Sequence, residues 1–119
     1  MADIYINYGT ALSDMAYELM QEAGIKDGLH PGMSVGIKPN LAVARPADGG
    51  ATTHPEIVEG ILRYLRDAGI RNIVILEGSW VGDSTRRAFR ICGYAALAEQ
   101  YGAAAGSAYH RFGARGPVL

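Results

Sequence analysis

Three short stretches of this chain hold side chains that could do chemistry together. Lys38-Pro-Asn40 offers an ammonium and an amide, and Thr52-Thr-His54 offers two hydroxyls and an imidazole. Glu77 adds a carboxylate and Ser79 a further hydroxyl. Positive charge beside several hydrogen-bond donors suits a small anion, a carboxylate or a phosphate. An imidazole is the side chain whose ordinary pKa lies nearest neutrality, so His54 can give or take a proton. Glu77 ends an apolar run just before a glycine, where a desolvated carboxylate can serve as a general base. Each residue also has a plainer reading. Lys38 can pair with a neighbouring carboxylate such as Glu77, and Glu77 can accept from loop amides. Thr53 and Glu56 can cap a helix, and His54 can lie on the surface of that helix's first turn. The candidates are therefore His54 and Glu77 for catalysis, and Lys38, Asn40, Thr52, Thr53 and Ser79 for binding a small anionic ligand.

Other chemistries fit the sequence poorly. Cys92 is the single cysteine, which excludes a disulfide framework, a four-thiolate zinc site and an iron–sulfur cluster held within this chain. His30 and His110 have no acidic or thiol neighbour at ligand spacing, so no metal site is expected. Gly78-Ser-Trp-Val-Gly82 stands where a phosphate loop would, yet it matches neither the dinucleotide fingerprint nor the P-loop. Trp80 within it can cover a ligand or cap a sheet edge. Arg86 and Arg90 are a like-charge pair four residues apart, mildly unfavourable unless an anion or solvent compensates. Cys92 itself reads as a small apolar core residue.

Those side chains need a scaffold, and the hydrophobic periodicity supplies one. Asp3–Tyr8 alternates apolar and polar residues as a short strand would. Leu12, Met15, Ala16, Leu19 and Met20 recur at helical spacing within a helix over about 10–23, stopped by Gly24. Ser34–Lys38 reads as a buried strand ended by Pro39. Residues 39–53 have two prolines and no period, and loops of that length usually carry function. Thr53-His-Pro-Glu56 fits a capping box opening a helix whose apolar stripe is Ile57, Val58, Ile61, Leu62 and Leu65. Glu59–Arg63 and Arg63–Asp67 are spaced to pair along it. Asn72–Glu77 is a continuous apolar run, as in a strand buried on both faces. A short helix capped by Asp83 or Ser84 runs to about Cys92, Gly93 breaks it, and Tyr94–Tyr101 forms another.

Ala23-Gly-Ile-Lys26 and Ala68-Gly-Ile-Arg71 both close a helix ahead of a strand, a repeated helix–strand unit. The expected class is α/β, a Rossmann-like parallel sheet of two or three layers with alternating helices, which an incomplete half-domain would also satisfy. In such sheets ligands bind outside the carboxyl ends of the strands, where Lys38, Glu77 and the Thr52-Thr-His54 helix start converge.

With 119 residues the chain has the length of one domain. Its net charge of −1 gives no drive toward nucleic acid or anionic membrane. No apolar run approaches the roughly 20 residues of a membrane span, and Met1–Gly9 is no signal peptide, so a cytoplasmic protein is expected. Residues 1–60 carry three basic and eight acidic side chains, and residues 61–119 carry eight and four. That asymmetry can favour a homo-oligomer built head to tail.

Val35-Gly-Ile-Lys-Pro-Asn-Leu41, Ala51-Thr-Thr-His-Pro-Glu56 and Asn72-Ile-Val-Ile-Leu-Glu-Gly78 together resemble the prokaryotic family catalogued as domain of unknown function 362. The likeness covers about residues 30–102. It implies an α/β domain without a settled activity, with Lys38, Pro39, Asn40, Thr53, His54 and Pro55 in its shared motifs. Relatives are often described as iron–sulfur proteins because many carry ferredoxin-type cysteine clusters, which this chain lacks. Family domains also look longer, so this chain would be an amino-terminal half, with one α/β domain over 1–102. Residues 103–119 then read as an Ala/Gly/Arg-rich tail, and with nine arginines to two lysines over the whole chain, as GC-rich coding would give, that tail suggests translation in a shifted frame. Three functions stay open: the ligand-binding part of an enzyme, a self-associating interaction module, and a fragment without activity of its own.

Overall fold

Three strands and four helices alternate along the chain in a computed structural model, which describes residues 2–41, 44–77 and 85–107. The helices are α1 (Leu12–Glu22), α2 (Pro55–Asp67), α3 (Thr85–Ile91) and α4 (Tyr94–Tyr101). The strands are β1 (Ser34–Ile37), β2 (Asn72–Glu77) and β3 (Ala104–Ser107). They form one parallel sheet in the order β1-β2-β3, so the molecule is α/β. No helix among the described residues is long and apolar enough to cross a membrane. The chain divides into two compact units.

The first unit comprises the chain up to Val35 together with Glu56–Asn72. Here α1 and α2 cross at Gly60, where an added Cβ would lie 2.1 Å from the Ser13 carbonyl oxygen. Only glycine permits that approach, at some cost in helix propensity. Val58, Leu62, Tyr64 and Leu65 are buried on α2, while Ile57 and Ile61 are half-buried. The buried face is therefore rotated from the expected stripe toward Gly60 and Tyr64, because the close crossing needs the small residue inward. Arg63 reaches across to α1, donating to Asp14 Oδ1 at 2.8 Å and to Ser13 Oγ at 3.0 Å. Asp67 accepts the Tyr17 hydroxyl. Gly69 adopts φ 87° and turns α2 into a stop, with the Ile70 amide reaching back to the Leu65 carbonyl at 2.9 Å.

Asp3–Tyr8 is not a strand. A strand exists through its ladder, and among the described residues the sheet consists of β1, β2 and β3. Ile4, Ile6 and Tyr8 are instead 85%, 65% and 88% exposed.

The second unit comprises Gly36–Pro55 and the chain from Ile73 onward. Its core gathers Leu41, Ile75, Leu76, Ala88, Phe89, Tyr94 and Leu97, all buried. Gly93, at φ 86°, separates α3 from α4 as the sequence suggests. The expected end of the α/β region at residue 102 is corrected by the strand that follows it. Gly102 and Ala103 close α4 onto the Glu99 and Ala98 carbonyls, and Ala104–Ser107 then pair in parallel with Val74–Glu77. That ladder is made by the main chain, so the small Ala-Ala-Gly-Ser side chains do not prevent it. The start of the supposed shifted-frame tail is thus a strand with defined partners. The rest of that tail and His110 lie outside the described residues, as do Gly78–Ser84 with Ser79, Trp80 and the expected cap of α3.

Candidate functional site

The carboxylate of Glu77 is the centre of the polar structure in the second unit. Glu77 is the last residue of β2 and is 4% exposed, one of two buried polar or charged residues among those described, with Thr52. Lys38 immediately follows β1, and its Nζ lies 3.0 Å from Oε1 and 3.1 Å from Oε2 of Glu77. The Leu41 amide donates to Oε2 at 3.1 Å. A buried carboxylate is tolerated when a countercharge and an amide donor replace water in this way. The two partners differ in exposure: the Lys38 side chain is 41% exposed and that of Glu77 only 6%. An ammonium has three protons, and two carboxylate oxygens engage at most two of them at once. Lys38 therefore presents a donor and a charge at a surface whose other face is closed.

The segment following Lys38 is closed at its neck. The Thr53 amide donates to the Asn40 carbonyl at 2.9 Å, and the Asn40 amide donates to Thr53 Oγ1 at 2.9 Å. The expected capping box is corrected by this pairing. Helix α2 begins at Pro55, one residue too late for Thr53 to cap it, so the threonine oxygen takes the Asn40 amide instead. Thr52 is 6% exposed, and its hydroxyl donates to the Arg45 carbonyl at 2.9 Å. Cys92 Sγ contacts the same carbonyl at 3.1 Å, so Cys92 is a buried residue bracing this segment. Ala47, in a short turn over Ala47–Gly49, is buried as well.

The sequence candidates thus separate. Lys38, Asn40, Thr53 and Glu77 are linked at and just beyond the carboxyl ends of β1 and β2. Thr52 faces its own segment, and His54 is exposed and forms no hydrogen bond with the described residues. Ser79 lies outside the described residues. Tyr94 is the participant that sequence reasoning missed. It is fully buried on α4, its hydroxyl donates to the Thr53 carbonyl at 2.7 Å, and its ring meets Phe89 edge-on at 6.5 Å. A tyrosine among the apolar residues of a short helix is the signal, since a buried phenol needs a polar partner. Nothing in the sequence says which partner it finds.

No group of three or more metal-ligating side chains occurs among the described residues. Iron–sulfur ligation does not fit this chain's residues either, since its single thiol is buried and engaged with Arg45. A family model described as Domain of unknown function (DUF362) matches residues 35–111, more than half of the chain and including every linked residue above. No curated protein and no solved structure matches the chain.

Proposed function

The chain belongs to the domain of unknown function 362 family, and we propose that it binds a small anion, a carboxylate or a phosphate, at the carboxyl edge of its sheet. The observation supporting this reading is the asymmetry of the Lys38–Glu77 pair, a buried carboxylate holding a lysine whose side chain is 41% exposed. Glu77 fixes the position of the ammonium, and its remaining donor capacity meets the ligand. Asn40 and Thr53 flank it, while Thr52 braces the segment from within. If the domain is part of an enzyme, Glu77 is the group able to move a proton at the bound ligand, with His54 supplying a second from the solvent side. Redox association is the wider setting that the family resemblance suggests, with electron carriers supplied by another chain.

The test is a thermal-denaturation screen with phosphate and simple carboxylates. The reading predicts a rise in melting temperature with at least one anion and loss of that rise in Lys38→Ala. No shift across the panel, or an equal shift in the variant, would refute it.

A second reading is favoured by one specific observation, the exposure of Ile4, Ile6 and Tyr8. In it the chain is a self-associating interaction module in which that segment meets another copy. Such a module gains stability with protein concentration. A melting temperature that stays constant over a hundredfold dilution would sink it.

A further inference from the structure

The first unit contains a cavity of about 380 Å³, lined by Tyr17, Gln21, Lys26, Asp27, Tyr64 and Asp67. The C-terminal ends of two helices border it, since Gln21 is in the last turn of α1 and Asp67 is the last residue of α2. Each such end carries roughly half a negative charge and favours a cation. The last turn of α1 has no basic residue, and in the last turn of α2 Arg66 is followed by the carboxylate of Asp67. Asp67 Oδ2 accepts the Tyr17 hydroxyl at 2.5 Å, while Oδ1 accepts no hydrogen bond from the described residues. Asp27 adds a second carboxylate, and the Lys26 ammonium forms no ion pair among the described residues.

Tyr64 supplies an independent observation. It is 6% exposed and packs edge-on against Tyr17, with ring centroids 5.6 Å apart. Its oxygen accepts the Lys26 amide at 2.8 Å, but its own proton finds no acceptor among the described residues. A buried hydroxyl proton without an acceptor is costly, so an oxygen in the cavity completes this group.

We propose that this cavity binds a small organic ammonium ion that also carries an oxygen acceptor, the chemistry of an amino alcohol or an amino acid. The ammonium sits at Asp67 and Asp27, where both helix ends add to the attraction. The oxygen accepts from the Tyr64 hydroxyl. This site is separate from the Lys38–Glu77 pair, and neither reading depends on the other.

The experiment is a titration of the full chain with ethanolamine, followed in amide correlation spectra at constant ionic strength, with propanol as the control lacking the ammonium. Saturable shifts at Lys26 and Asp27 are expected with ethanolamine and not with propanol. Asp67→Asn, at an exposed position that leaves the packing intact, is expected to weaken binding about tenfold or more by removing a charge-assisted bond. Tyr64→Phe keeps the ring and is expected to weaken it less. No saturation with ethanolamine, an equal response to propanol, or unchanged affinity in Asp67→Asn would each overturn the proposal and assign the cavity to water.

Discussion

Two ion pairs in this molecule have nearly the same length and different surroundings. Lys38–Glu77 spans 3.0 Å and Arg63–Asp14 spans 2.8 Å, and each cation is about two-fifths exposed. The carboxylates differ: that of Glu77 is 6% exposed and that of Asp14 is 65% exposed. Water solvates Asp14 whether or not Arg63 is present, so the exposed pair has little to add to stability. Glu77 has exchanged water for Lys38 and the Leu41 amide, and loses both if the arrangement is broken. Distance alone does not separate a structural ion pair from an incidental one. Desolvation of the anion does.

The largest effect is expected at Glu77. Glu77→Ala leaves the buried Leu41 amide without its acceptor and is expected to cost about 2–4 kcal/mol in urea denaturation. A loss below about 1 kcal/mol would remove the distinction between the two pairs.

Gly60→Ala probes the first unit by packing rather than charge. A methyl group 2.1 Å from the Ser13 carbonyl forces the helices apart, for an expected loss of about 1–3 kcal/mol despite alanine's better helix propensity. Tyr94→Phe removes the donor to the Thr53 carbonyl and is expected to cost about 1–2 kcal/mol. Its effect on the segment between Asn40 and Thr53 is measurable as faster amide exchange at Thr53. Asp14→Asn is expected to change stability by only about 0.2–1 kcal/mol, and by less as salt is raised.

The smallest effect concerns pH. The hydrogen bond from the Tyr17 hydroxyl to Asp67, then burial, raises its pKa above the usual 10.0. The neutral phenol is the donor, so its contribution is whole below the unfolded value near pH 10 and is lost as pH rises through the higher folded one. An ultraviolet titration should show the Tyr17 phenol ionising above its ordinary range, and Asp67→Asn should return it toward the ordinary value.

Much of the scaffold was legible from local pattern. The apolar run Asn72–Glu77 and the glycine stops at Gly69 and Gly93 read correctly because burial and left-handed turns leave marks on neighbouring residues. Elements that depend on a distant ladder did not. Asp3–Tyr8 has a strand's alternation without strand partners, while Ala104–Ser107 has little strand propensity and pairs with β2 through its main chain. At the candidate site, Lys38 and Glu77 were recognisable as strand-end charges, and their pairing was one of two readings the residues allowed. The roles of Thr53, Tyr94 and the Leu41 amide were not recognisable. They depend on which backbone groups the segment 39–53 brings together, and residue types do not encode that.

The comparison between the two pairs is tested most directly by two double-mutant cycles in one denaturation series, Lys38→Met with Glu77→Gln and Arg63→Met with Asp14→Asn. The account predicts a coupling of about 1–3 kcal/mol for the first, moderated by the open lysine, and at most about 0.5 kcal/mol for the second. Equal couplings would contradict it, and would mean that burial of Glu77 does not make Lys38 its necessary partner.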